Sequence, residues 1–107
     1  MDQINPAQLA AWLGDGARGK PVLLDVREPW EFRTCHIAES RPMPMAEVPG
    51  RLAELDPEVE TVVICHHGGR SMHVAMFLEK QGFKRVHNLA GGLAAWASSV
   101  DPSMPRY

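Results

Sequence analysis

The stretch TVVICHHGGRS, residues 61–71, holds the densest chemistry in the chain. An apolar run, Val62-Val63-Ile64, ends in Cys65, and His66, His67, Gly68, Gly69, Arg70 and Ser71 follow at once. A cysteine reacts as its thiolate, so its surroundings decide whether it is a nucleophile or an inert buried thiol. Gly68 and Gly69 can take positive φ and turn successive amide N–H groups to one side, which makes a concavity suited to an anion. A helix starting just after them adds the positive end of its dipole. Arg70 adds a fixed charge suited to an oxyanion. A lone cysteine after a strand is by default a small hydrophobe. The polar, glycine-rich turn overrides that default and marks Cys65 as a candidate for covalent catalysis.

The other reactive residue types give weaker signals. His66 and His67 beside Cys65 suggest a metal site, but adjacent residues rarely converge on one ion and no other cluster has zinc spacing. The expectation is therefore no metal and no cofactor, with the two histidines tuning the charge of the pocket and its choice of donor. His36 and His87 are expected to be structural, and His73, one turn into the helix, to face solvent or packing by default, with a place near the loop as the alternative. Trp12, Trp30 and Trp96 are expected as core or half-core anchors. Met43 and Met45 suit irregular gaps.

Several elements must position this loop. INPAQLAAWLGDG, from residue 4, reads as a helix with Asn5 as N-cap, Pro6 at the first helical position and Gln8 completing a capping box. PVLLDV, 21–26, and TVVIC, 61–65, are apolar without alternation, as strands buried on both faces are. EPWEF, 28–32, reads as one helical turn, AEVPGRLAEL, 46–55, as a helix, and RSMHVAMFLEKQG, 70–82, as the strongest helix. KRVHNL, 84–89, is a third strand and GGLAAWASS, 91–99, a last helix. Buried strands alternating with helices predict an α/β fold, a mainly parallel central sheet with helices on both faces. Ligands of such sheets bind at the carboxyl ends of the strands, where Asp25 and Cys65 both fall.

A length of 107 residues allows one domain. Composition is that of an ordinary globular chain, at 45% hydrophobic and 22% charged, and the net charge of -2 has no basic stripe to suggest nucleic acid. Apolar runs are too short for a membrane span, and the acidic start MDQ lacks signal-peptide character. The expectation is a cytoplasmic protein whose two cysteines, Cys35 and Cys65, are thiols. One domain should span 1–100, with 101–107 a short proline-containing tail that adds little.

At these residues the sequence resembles the rhodanese family of sulfurtransferases. CHHGGRS, Cys65 to Ser71, looks like that family's active-site loop: a cysteine, four residues, then an arginine leading into a helix. LLDVRE, 23–28, HIAES, 36–40, and NLAGGLAAW, 88–96, are similar to three further signatures, in the same order. Two positions depart from the pattern. Cys35 stands where glycine is usual before His36, and Glu39 where a second small residue is usual. The resemblance implies a rhodanese-like three-layer sandwich. It implies that the Cys65 thiolate takes the outer sulfur of a donor such as thiosulfate, forming a persulfide cradled by the amides of residues 66–70. A thiol or cyanide acceptor would then remove that sulfur, and a protein acceptor is a further option. Arg70 would bind the donor's oxyanion or hold the loop, with His66, His67, Gly68, Gly69 and Ser71 around it. Asp25 and Arg27 would support the site by orienting backbone and arginines. Cys35 is open to a resolving role, against the default of a structural thiol.

Three other functions compete. A phosphatase or arsenate reductase also holds a cysteine in an anion nest, but needs five residues between cysteine and arginine, where this chain has four. A partner-binding module commonly lacks the cysteine. A persulfide carrier in a sulfur relay shares every residue with the enzyme.

Overall fold

Strands without a polar face need cover on both sides, and the two most apolar runs pair at the centre of the sheet. The computed structural model describes residues 1–107. It pairs β2 (Val22–Asp25) with β4 (Thr61–Ile64) in parallel, placing Leu24 opposite Val63 and Asp25 opposite Ile64. With β1 (Asp2–Ile4), β3 (Arg41–Pro42) and β5 (Val86–Leu89), the sheet runs β1-β5-β4-β2-β3, and every pairing is parallel. The α/β architecture expected from the sequence is the one observed. β1 and β3 were not foreseen. Three and two residues are too few to carry a periodic pattern, and both are held by backbone pairing to a neighbour.

The first helix, α1 (Pro6–Leu13), starts as its sequence predicts. Asn5 Oδ1 accepts from the Gln8 N–H and Gln8 Oε1 accepts from the Asn5 N–H, both at 2.8 Å. The others are α2 (Pro29–Thr34), α3 (Gly69–Lys80) and α4 (Gly92–Ser99). The helix expected over 46–55 is not α-helical. Two 3-10 segments, Met45–Glu47 and Pro49–Glu54, stand there instead, and Arg51 leaves helical geometry at φ -121°. Pro49 lacks the N–H that a continuous helix would use, so the chain breaks around it. Glu39 adopts φ 69°, the left-handed region that small residues enter more readily.

Two apolar cores lie against the two faces. Leu23, Val62, Ile64 and Leu89 face α1 and α4 through Leu9, Trp12, Leu93 and Trp96. Leu24, Val63, Cys65 and Val86 face α3 through Val74 and Leu78, and the stretch around the 3-10 segments through Met43 and Val48. Each fully buried leucine or isoleucine contributes about 2 kcal/mol, so this double burial outweighs the weak local propensity of four-residue strands. Trp12 and Trp96 are buried as expected, but Trp30 is 55% exposed and anchors no core. Met104, from the segment expected to add little, is buried in the α1–α4 core. No helix is long and apolar enough to cross a membrane.

Candidate active site

Cys65 leaves the carboxyl end of β4 and is 1% exposed. Its sulfur accepts a hydrogen bond from the Gly68 N–H at 3.0 Å. Gly68 is the N-cap of α3 at φ 103°, so the chain turns back over the sulfur just where the helix begins. Only Gly68 of the loop's glycine pair takes positive φ; Gly69 is already the first helical residue and is exposed. A Cβ at Gly68 would also crowd the Gly91 nitrogen at 3.3 Å and the Leu89 oxygen at 3.4 Å. Sulfur, amide and helix terminus meet here, and of the amides of residues 66–70 expected around the sulfur the Gly68 N–H is the one that donates to it.

The loop is fastened from three sides. From α4, the Leu93 N–H donates to the Cys65 carbonyl at 2.9 Å and the Ala94 N–H to the His66 carbonyl at 3.0 Å. The first turn of a helix has N–H groups without intrahelical partners, and here they hold the loop's backbone. Gly92 makes that approach possible, since a Cβ there would fall on the Cys65 carbonyl oxygen and within 2.5 Å of both C and O of His66. From β5, the buried Asn88 side chain donates to the Gly68 carbonyl at 3.3 Å and receives the Ser71 hydroxyl. Ser71 is thus turned into the interior, beneath the loop.

The third fastening runs through Arg70. Its Nη1 and Nη2 donate to Glu31 Oε1 and Oε2 at 2.6 and 2.8 Å, a two-pronged pair. The arginine side chain is 35% exposed and the glutamate 5%. The hydrogen bonds from Arg70 hold the Glu31 carboxyl down at about 2, against the opposing effect of burial. The same pairing raises Arg70 above the ordinary arginine value. This geometry ties the start of α3 to α2 through Arg70 and Glu31. Glu31 escaped sequence reading. Its only local signal is the reach of its Oε1 to the Glu28 N–H at the start of α2, which says nothing of a residue in a distant loop.

Asp25 and Arg27 form a buried pair beneath α2. Arg27 Nε and Nη2 reach Asp25 at 2.9 and 2.7 Å. Nη2 also donates to the Cys35 carbonyl at 2.6 Å and Nη1 to the Glu31 carbonyl at 3.2 Å. Burial opposes the charge on Arg27, but hydrogen bonds to Asp25 and Tyr107 outweigh it and raise its pKa. Asp25 thereby fixes Arg27, Arg27 fixes α2, and α2 presents Glu31 to Arg70.

His66 and His67 border an open cleft of about 290 Å³, with Cys35, Leu93, Ala94, Met104 and Tyr107 among its other walls. Their rings meet edge to face at 4.1 Å. His66 is pushed below the ordinary histidine value, first by burial and then by the charge of His67. Its Nδ1 is buried without a hydrogen-bond partner. No group of three or more His, Cys, Asp or Glu side chains comes together in a way that could hold a metal ion. Cys35 and Cys65 are both free and belong to the cores on opposite faces of the sheet. His36 and His87 have structural partners, Nδ1 of His36 on the Phe32 carbonyl at 2.8 Å and Nε2 of His87 on Glu60 at 2.6 Å.

Comparison with known proteins matches this arrangement to one family. The model of the Rhodanese-like domain covers residues 5–99. A rhodanese-like/PpiC domain-containing protein 12, chloroplastic, of Arabidopsis thaliana is 43% identical over 79% of this chain, which spans 30% of that protein. The thiosulfate sulfurtransferase GlpE of Stutzerimonas stutzeri is 35% identical over 88% of this chain and 83% of its own length. The crystal structure of a rhodanese-related protein from Thermoplasma volcanium superposes with a TM-score of 0.83 at 30% identity, covering 94% of each chain.

Proposed function

This chain belongs to the family of rhodanese-like domains, and on that premise we propose that it is a sulfurtransferase acting through a persulfide on Cys65. The observation that carries the reading is the Cys65 sulfur, held at 3.0 Å from the Gly68 N–H at the start of α3. The Cys65 thiolate attacks the outer sulfur of a donor such as thiosulfate. The donor's S–S bond breaks and sulfite leaves with the bonding electrons. The persulfide's terminal sulfur is then attacked by a nucleophile, and Cys65 leaves as a thiolate, which closes a ping-pong cycle. Cyanide as acceptor gives thiocyanate, and a thiol gives a new persulfide. The Gly68 amide, the helix terminus and the clamped Arg70 favour negative charge on whichever sulfur occupies the loop. Four residues between Cys65 and Arg70 make a cradle for one sulfur atom and too small a one for a tetrahedral phosphate. GlpE of Stutzerimonas stutzeri, described as a thiosulfate sulfurtransferase, supports thiosulfate as donor.

One observation favours a second reading. Both terminal nitrogens of Arg70 are engaged on Glu31, so recognition of a donor oxyanion would fall largely to His67 and the loop amides. A weakly held small donor suits a carrier that receives its persulfide from a protein. Purified, reduced protein mixed with thiosulfate and cyanide tests the first reading. Thiocyanate formed by the wild type and lost in Cys65→Ser supports it. No turnover by folded protein with a free Cys65 thiol overturns thiosulfate as donor and transfers the case to the carrier.

A further inference from the structure

Residues 101–107 form a built segment of the site. The Met104 N–H closes a turn on the Asp101 carbonyl at 3.1 Å, and the Met104 side chain enters the core beside Trp96 and Ala97. Arg106 Nη2 donates to the Ala97 carbonyl at 3.3 Å, one of the last carbonyls of α4. These anchors bring Tyr107 beside His66. Its hydroxyl donates to Glu31 Oε2 at 2.8 Å and accepts from Arg27 Nη1 at 2.9 Å. Its ring lies 4.2 Å from that of His66 and meets Trp30 edge-on at 5.4 Å. Tyr107 is 39% exposed on its outer side, yet its inner side is tied to two charged groups of the site. Burial pushes its phenol up to about 12, so the hydroxyl keeps its proton for Glu31 at neutral pH.

Resting on the sulfurtransfer reading, we propose that Tyr107 is a specificity-determining gate. Tethered to Arg27 and Glu31 and lying on His66, it narrows the approach to the Cys65 sulfur to the dimensions of small donors and acceptors. The buried sulfur fits that role, and so does the cleft of about 290 Å³ that Tyr107 walls together with His66 and His67 beside the loop, which has room for a small molecule and none for a folded partner. A protein acceptor must first lift the ring from His66. The energetic barrier to doing so is the pair of charge-assisted hydrogen bonds at the hydroxyl.

The test reads access to the thiol directly. In a Cys35→Ala background Cys65 is the only thiol, and it is labelled with N-ethylmaleimide or with a maleimide carrying a polyethylene glycol chain. Both reagents need the same thiolate, so the ratio of their rates reports access and not ionisation. Tyr107→Ala keeps the Met104 and Arg106 anchors and is compared with Tyr107→Phe and with Tyr107, each shown to be folded by its melting curve. The expected result is a rise in the bulky-to-small rate ratio of roughly tenfold for Tyr107→Ala, the scale set by losing hydrogen bonds to charged groups. Tyr107→Phe, which keeps the ring and loses the tether, should lie between the two. An unchanged ratio in folded Tyr107→Ala overturns the gate, and Tyr107→Phe equal to the tyrosine protein overturns the tether. Failure of thiosulfate turnover leaves this test intact, because maleimide reads the sulfur whatever its natural donor.

Discussion

Replacing Glu31 with glutamine removes the charge from the clamp on the Cys65 loop. Glutamine keeps the shape of the side chain but removes the charge facing Arg70, and its single oxygen can accept from only one of the Glu28 N–H and the Tyr107 hydroxyl, which use different oxygens of Glu31. The fall of the Glu31 carboxyl from 4.5 to about 2 corresponds to roughly 3 kcal/mol of stabilisation when the group is ionised. Arg70 is 35% exposed, so solvent screening brings the expected loss to about 2 kcal/mol. The pH dependence follows from the direction of the shift. A carboxyl that holds its proton less tightly in the folded state stabilises fully above its unfolded value. That contribution is lost as pH falls from about 5 through about 2. Urea unfolding of both proteins should therefore separate them at about pH 7, with more than half of the difference gone by about pH 3. A difference that is the same at both pH values would refute the electrostatic account. No difference at either would refute the clamp itself.

Three other outcomes follow from the geometry. Gly92→Ala should cost about 3 kcal/mol or more, because the added Cβ meets backbone of Cys65 and His66 that no side-chain motion can clear; a melting temperature within a few degrees of wild type counts against this. Asn88→Ala, which leaves the Gly68 carbonyl and the Ser71 hydroxyl without their buried partner, should lower stability by roughly 1–3 kcal/mol in denaturant unfolding, and a neutral result would place those groups in contact with water. His66 should take up its proton below 6.5 when its ring is followed by NMR, since burial and His67 both disfavour the charge; a midpoint at or above that value would contradict the packing described.

The local chemistry of this protein was legible in its residues. Asn5, Pro6 and Gln8 specify the start of α1 because capping is decided within four neighbouring residues. Val62 to Ile64 announce a doubly buried strand because every side chain in the run needs cover. Cys65, Gly68 and Arg70 mark the candidate loop because a strand end, a left-handed turn and a helix start are consecutive in the chain. Short elements defeated the same approach. β1 and β3 exist through pairing alone, and the 46–55 segment, helical by its apolar spacing, splits into two 3-10 pieces on either side of Val48, with Pro49 opening the second.

Partnerships across the fold were decided only by tertiary structure. Nothing in the one-turn helix at Glu31 foretells that its carboxylate meets Arg70, or that Asp25 and Arg27 lock the helix which carries it. Gly92 was legible as part of a motif, but its reason, a helix terminus pressed onto the Cys65 and His66 carbonyls, is a contact between segments far apart in sequence. Tyr107 is the clearest case. Behind two prolines it reads as the end of a tail, yet Met104 enters the core and carries the phenol to Arg27 and Glu31. Sequence alone marked Cys65 as the candidate nucleophile and indicated the turn that surrounds it, since those depend on neighbours along the chain. The fold decided what holds that turn and what packs beside it, because those groups become neighbours only once the sheet has paired and both of its faces are covered.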